Sequence, residues 1–100
     1  MEKALKKEIE RNIKKPTGKY VEIIGDYLRE NSGNEKAIII KYFFFEKCGY
    51  WRVIKELNKI GCYVSHGAFY NIKDIVVTDI ALRACYEHLV CPYGDKSQPN

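Results

Sequence analysis

The residues best suited to chemistry in this chain are its four cysteines and two histidines. Cys85, His88 and Cys91 stand three apart, in the pattern Cys-x2-His-x2-Cys. On a helix Cys85 and His88 share a face, and Cys91 lies beside Pro92, where a helix must end. Thiolate and imidazole are zinc ligands, but a tetrahedral site needs a fourth donor, which only Cys48, Cys62 or His66 could bring through the fold. Structural zinc sites pair two short-spaced ligand motifs, and this chain holds one. Buried thiols acting as small hydrophobes are therefore expected at all four cysteines, with no metal and no cofactor. Catalysis finds as little to build on. The sequence has no glycine-rich phosphate loop, no His-Glu-x2-His and no paired-carboxylate motif. A cysteine beside either histidine makes a nucleophilic pair only if something orients the two, and no spacing here does so. The expectation is a binding protein, not an enzyme.

A second set of residues points to hydrogen bonding with base edges. Residues 57–72 read Leu-x3-Gly-x2-Val-Ser-x3-Phe-Tyr-x-Ile. Leu57 and Ile60 would pack a first helix, and Gly61 can take the positive φ at which that helix stops. Val64 would fill the corner. Ser65 can cap the next helix by accepting a hydrogen bond from a first-turn N–H. Phe69 and Ile72 would anchor that second helix, leaving His66, Gly67, Tyr70, Asn71 and Lys73 or Asp74 outward. In a helix-turn-helix, the outward residues at the start of the second helix meet base edges in the major groove. Ser65, His66, Gly67, Tyr70 and Asn71 are thus the expected base-reading set. Lys73 is the only cation beside them. Contacts to the DNA backbone would fall to Trp51, Arg52, Lys55, Lys59 and Lys73, aided by a basic first helix. An ordinary helical hairpin, which also needs a glycine and a cap, is the plain alternative.

These residues require elements to carry them. Leu5, Ile9 and Ile13, with Ala4, form a thin apolar stripe over residues 2–15, stopped by Pro16-Thr17-Gly18. Tyr20, Ile23, Ile24, Tyr27 and Leu28 recur at the spacing of one buried helix face over residues 19–30. Asn31-Ser32-Gly33-Asn34 is a loop. Residues 35–47 crowd β-branched and aromatic side chains, which favour a strand. No partner strand is visible elsewhere, so a central helix is expected instead. Cys48-Gly49 ends it. Residues 50–60 form the next helix, with Val53, Ile54, Leu57 and Ile60 inward. The last runs from His66 to about Val90, with a bend allowed near Thr78-Asp79. Eight tyrosines sit mostly at core spacing, and Tyr50, Trp51, Tyr63 and Tyr70 are expected at least partly exposed.

Composition sets the outer limits. One hundred residues, 46% of them hydrophobic, suit one domain with a real core. It would comprise basic N-terminal helices in 1–34, a helix-turn-helix core in 35–91 and a tail in 92–100. No apolar run approaches the roughly 20 residues of a membrane span, and the 37–45 run is broken by Lys41. The charged N-terminus lacks the apolar stretch of a secretion signal, which implies a cytoplasmic protein with reduced thiols. Fourteen of the 17 basic residues lie in residues 1–60. That positive field suits a polyanion, or is simply a solvated face.

From Lys41 to Val90 a longer pattern emerges. Lys-Tyr-Phe-Phe-Phe at 41–45, Tyr-Trp-Arg-Val at 50–53, Val-Ser-x3-Phe-Tyr at 64–70 and Asp-Ile-Val-Val-Thr-Asp-Ile-Ala at 74–81 follow in order. The arrangement resembles phage-encoded transcriptional activators of the ArpU/RinA-like late-regulator family, whose core is similar to region 4 of bacterial sigma factors. The resemblance implies an all-α bundle that binds duplex DNA and regulates transcription, with RNA polymerase as a further partner. It aligns Ser65, His66, Gly67, Tyr70 and Asn71 with the recognition-helix surface, and Trp51-Arg52 with the backbone-contacting start of the preceding helix. The connection from Ile60 to Ser65 is longer than the family's usual turn, and the second helix lacks the family's arginines. In that longer connection the chain is similar to the DNA-binding domains of some transposases. A module meeting RNA polymerase or a phage packaging component, with an architectural helix-turn-helix, is the reading from another class. A single small module buries only about 600–1,000 Å² on DNA, so a homodimer, or action alongside a second DNA-bound protein, is expected, with Leu82, Tyr86 and Leu89 as interface material unless they complete the monomer's own core.

Overall fold

Leu5, Ile9 and Ile13 recur every fourth residue, and all three are buried. That stripe makes α1 (Lys3–Lys14) a helix with one committed face. A computed structural model describes residues 2–90, and in it α1 is followed by α2 (Lys19–Glu30), α3 (Glu35–Ile38), α4 (Tyr50–Lys59) and α5 (His66–Tyr86). There is no strand among the described residues. The expected all-α bundle is what forms. Its single core draws buried residues from α1, α2, α4, α5 and the run that follows α3. Cys91 and the expected tail at 92–100 lie outside the described residues.

The region of conflicting propensity is helical, with a difference. Asn34 caps α3, its side-chain oxygen accepting from Lys36 N at 2.9 Å, and the chain then continues as a π-helical run over Ile39–Phe45. Ile39, Ile40 and Phe44 are its buried residues. A π-helix turns each residue through a smaller angle than an α-helix does. The wider winding therefore draws these three side chains into a narrower sector facing the core, and loosens the crowding of consecutive β-branched and aromatic residues. Its exit is wide as well. Cys48 N donates to Tyr42 O at 2.8 Å, and Lys47 adopts a φ of 54°.

α4 and α5 end in the same device. After α4, Gly61 has a φ of 80°, its N–H donates to Asn58 O, and Cys62 N donates to Leu57 O. This is a Schellman motif with glycine in the left-handed position, as the sequence leads one to expect. After α5 the same bonds run from His88 N to Cys85 O and from Leu89 N to Ala84 O, and His88 takes a φ of 62°. The last helix therefore stops at Tyr86, short of the expected Val90, because the chain reverses at His88. A Cβ-bearing residue in this conformation costs about 1–2 kcal/mol. Since glycine's larger unfolded-state entropy offsets part of the gain, His88→Gly is expected to stabilise the protein by about 0.5–1 kcal/mol. Urea unfolding measures this, and an unchanged or lowered midpoint would contradict it.

α5 is the axis of the molecule. It packs across α1, α2, α3 and the π-helical run, while α4 leans on α3 and that run. Tyr27 of α2 donates its hydroxyl to Asp79 at 2.6 Å, Lys36 reaches the same carboxylate at 3.7 Å, and Arg83 pairs with Glu30. Burial and the Asp79 hydrogen bond push the Tyr27 phenol well above its ordinary pKa. No helix among the described residues is long and apolar enough to cross a membrane.

Candidate nucleic-acid interface

The turn from Ile60 to Ser65 folds the chain back, so that the starts of α4 and α5 meet. Tyr50 rests against His66, with ring centroids 4.6 Å apart, and edge-on to Phe69 at 5.0 Å. Phe69 is fully buried and also meets Phe43 of the π-helical run at 5.6 Å. These contacts hold the first two turns of α5 firmly while leaving their outer edge open. Val64 is half-buried against the core, in the corner expected of it. Ile60, expected inward, is largely exposed, because α4 has already ended at Lys59 and Ile60 belongs to the turn.

The expected base-reading residues gather at this one end. Ser65 caps α5, its hydroxyl oxygen accepting from Ala68 N at 3.1 Å. That bond occupies the oxygen as an acceptor and leaves the hydroxyl proton free to be donated. Gly67 is exposed, with open space where a side chain would project. Asn71 is exposed one turn further on and lines a shallow groove with Asp74, Ile75, Thr78 and Asp79. Tyr70 is partly exposed, its ring edge-on to Phe69. His66 is exposed, yet its ring lies between Tyr50 and Tyr70, the latter at 4.9 Å. Gly67, Tyr70 and Asn71 therefore form the open edge, and His66 is the stacked member of the set.

The expected backbone-contacting residues divide. Trp51, at the start of α4, is 79% exposed and Tyr63, in the turn before α5, 77%, so two large rings stand in solvent. Tyr63 was outside the residues expected in the site, although its exposure was expected from its place in the connection between two helices. Lys55 is exposed and pairs with no acid among the described residues. Arg52 and Lys59, by contrast, both bind Glu56, at 3.1 and 3.2 Å. Arg52 also lies over the Tyr42 ring. Lys73 pairs with Glu10 at 3.3 Å and sits over the rings of Phe43 and Tyr70. Three of the four expected cations are thus engaged within the protein.

Glu56, only 7% exposed, is the residue that sequence reading passed over. Burial pushes its carboxyl up, but hydrogen bonds from Lys59 and Arg52 outweigh this and hold it below the ordinary carboxylate range. An acid whose folded pKa is depressed stabilises the protein above its unfolded pKa, and that contribution is lost as pH falls through the folded value. Stability should therefore decline below about pH 4.3, and Glu56→Gln should flatten part of that decline. The same substitution frees two cations. Were this surface to meet a phosphate backbone, the freed pair would steepen the salt dependence of that binding by up to about 2 and raise the affinity. Weaker binding by Glu56→Gln would show that Glu56 positions Arg52 and Lys59 rather than masking them.

Cys85 and His88 do not share a helix face, and Cys91 lies outside the described residues. Cys85 is half-buried in α5, whereas His88 lies beyond the helix end in the left-handed turn. Among the described residues no group of three or more His, Cys, Asp or Glu side chains could hold a metal ion. Cys48, Cys62 and Cys85 are free and half-buried, and burial raises the Cys62 thiol pKa, with Glu35 adding to the effect. Comparisons with family models, curated proteins and solved structures give no significant match to this chain.

Proposed function

We propose that this protein binds duplex DNA with sequence preference through the first two turns of α5, and that it regulates transcription in the manner of phage late activators. The observation that supports this best is the open edge of Gly67, Tyr70 and Asn71, held by a buried Phe69, with Trp51 and Tyr63 exposed on the segments that lead into it. A helix end presented in this way fits the major groove, where an asparagine amide can pair bidentately with adenine. The test is selection of bound fragments from a random duplex pool, followed by titration at several salt concentrations. Enrichment of a short motif with a steep salt dependence is the expected result. Uniform recovery of the pool, or no binding at low salt, would end this reading.

One observation favours a protein partner in addition. α5 carries apolar residues on its outer side too, with Leu82 61% and Tyr86 85% exposed and Ile75 one turn before Thr78 on the same side. Leu82 and Tyr86 face outward on α5 as expected, whereas Leu89 lies past the helix end, in the turn that closes it. We read this stripe as a contact between two copies, which would double both the bases read and the phosphates touched. Leu82→Glu should then convert a dimer to a monomer and weaken binding to a two-half-site duplex, as light scattering and titration would report. A wild-type protein that stays monomeric at tens of micromolar and still binds one half-site tightly removes the argument. Recruitment of RNA polymerase through the same stripe is the competing use.

A further inference from the structure

We infer that the outer face of α1 is a phosphate-binding strip that supplies the electrostatic anchor for DNA, in place of the cations on α4. This rests on the DNA-binding reading and assigns α1 a part in it. Lys3, Lys7, Arg11 and Lys14 are exposed and follow one another at the three- and four-residue spacing of a single helix face. No acid among the described residues pairs with any of them. They lie opposite Leu5, Ile9 and Ile13, which are buried, so α1 is fixed against the core and cannot turn its cations away.

The strip also lies beside the candidate reading helix. Lys6 of α1 pairs with Asp74 of α5 at 3.0 Å, and Glu10 pairs with Lys73 at 3.3 Å. These two crossed ion pairs lock α1 to α5 one turn beyond Asn71. They bound an open groove of about 450 Å³ lined by Lys3, Lys6, Lys7, Glu10 and Lys73. Glu10 and Asp74 are thereby engaged, and the cations on the outer side form no ion pair with any acid among the described residues. From Lys3 to Lys14 the strip spans about 16 Å at 1.5 Å per residue, room for several successive phosphates of one strand, each rising about 3.4 Å.

The strip is costly without a ligand. The cost falls on its N-terminal end, where Lys3 and Lys7 oppose each other four residues apart and α1 has no acid in its first turn, whereas Arg11 and Lys14 sit in the last turn, which the helix dipole favours. A phosphate backbone relieves both terms. An anionic membrane fits less well. An interfacial helix needs an apolar face to insert, and the apolar face of α1 is already buried in the core.

The experiment compares the full chain with a variant carrying Lys3→Gln, Lys7→Gln, Arg11→Gln and Lys14→Gln. All four positions are exposed, and a thermal melt checks that the fold survives. A control with Lys19→Gln and Arg29→Gln on α2 removes two positive charges where the α1 variant removes four, and comparing the two charge for charge separates local contact from loss of net charge. If α1 is the anchor, the salt slope of duplex binding falls by about 3 to 4 in the α1 variant, and affinity near 50 mM salt drops on the order of 100-fold. The α2 control stays close to wild type. An α1 variant that keeps the wild-type slope, or a control that loses as much, overturns the inference while leaving DNA binding standing. If the wild type binds no duplex, the DNA reading fails first, and inorganic polyphosphate becomes the probe. Binding by wild type alone then upholds the strip as a phosphate surface. Equal binding by both proteins, or capture of wild type by anionic vesicles and not by polyphosphate, overturns it.

Discussion

Phe69→Ala should remove about 3–5 kcal/mol of folding stability, the usual cost of truncating a fully buried phenylalanine. A domain of this size has roughly 5–15 kcal/mol in total. At about 4–8 °C per kcal/mol the melting temperature would fall by on the order of 20 °C. The location makes the loss severe. The Phe69 ring is completely buried and meets Phe43, Tyr50 and Tyr70 edge-on, joining the π-helical run, α4 and α5 at one point. Little can collapse into the space, because each neighbour is a rigid ring attached to a different element. The first turns of α5 should also exchange their amide protons faster than the rest of that helix. Phe69→Leu, which refills part of the volume, should recover most of the stability. A loss below about 1 kcal/mol on truncation to alanine would mean that the cluster is held by other contacts.

Asn71→Ala should cost about 1–3 kcal/mol of affinity for the preferred duplex, a factor of roughly 5 to 150, at one base position. The side chain is exposed on the open edge of α5, and its amide makes no hydrogen bond among the described residues. Truncation therefore leaves no buried partner behind, and thermal stability should be unchanged. Binding to unrelated sequences should be nearly unaffected, so the preference narrows while the salt slope stays the same. Lys55→Ala should behave in the opposite way, weakening every sequence alike and lowering the slope by about 1. Titration of each variant against preferred and scrambled duplexes separates these outcomes. Equal effects of the two substitutions on both duplexes would show that α5 does not lie in the groove as proposed.

The apolar rhythm of the chain specifies its helices unaided. Leu5, Ile9 and Ile13, then Tyr20, Ile23, Ile24 and Tyr27, mark α1 and α2 because a buried face must recur with the helical period, whatever it packs against. The cap at Ser65, the reversal at Gly61 and the exposure of Trp51 and Tyr63 were legible for a similar reason. The cap and the reversal depend on local chemistry, and the two rings stand off the buried stripe of any helix. Only the tertiary structure decided the rest. The winding of Ile39–Phe45 depends on where the core lies, since α and π turns satisfy the same backbone and differ in which side chains they bring together. His88 ends α5 in a conformation that its side chain disfavours, a local cost that propensity counts against and the whole fold tolerates. Charge was the least legible property. Arg52, Lys59 and Lys73 read alike with Lys3, Lys7 and Arg11 along the chain. The ion pairs that occupy the first three, and leave the second three open, depend on distances of a few ångströms between side chains that only packing sets.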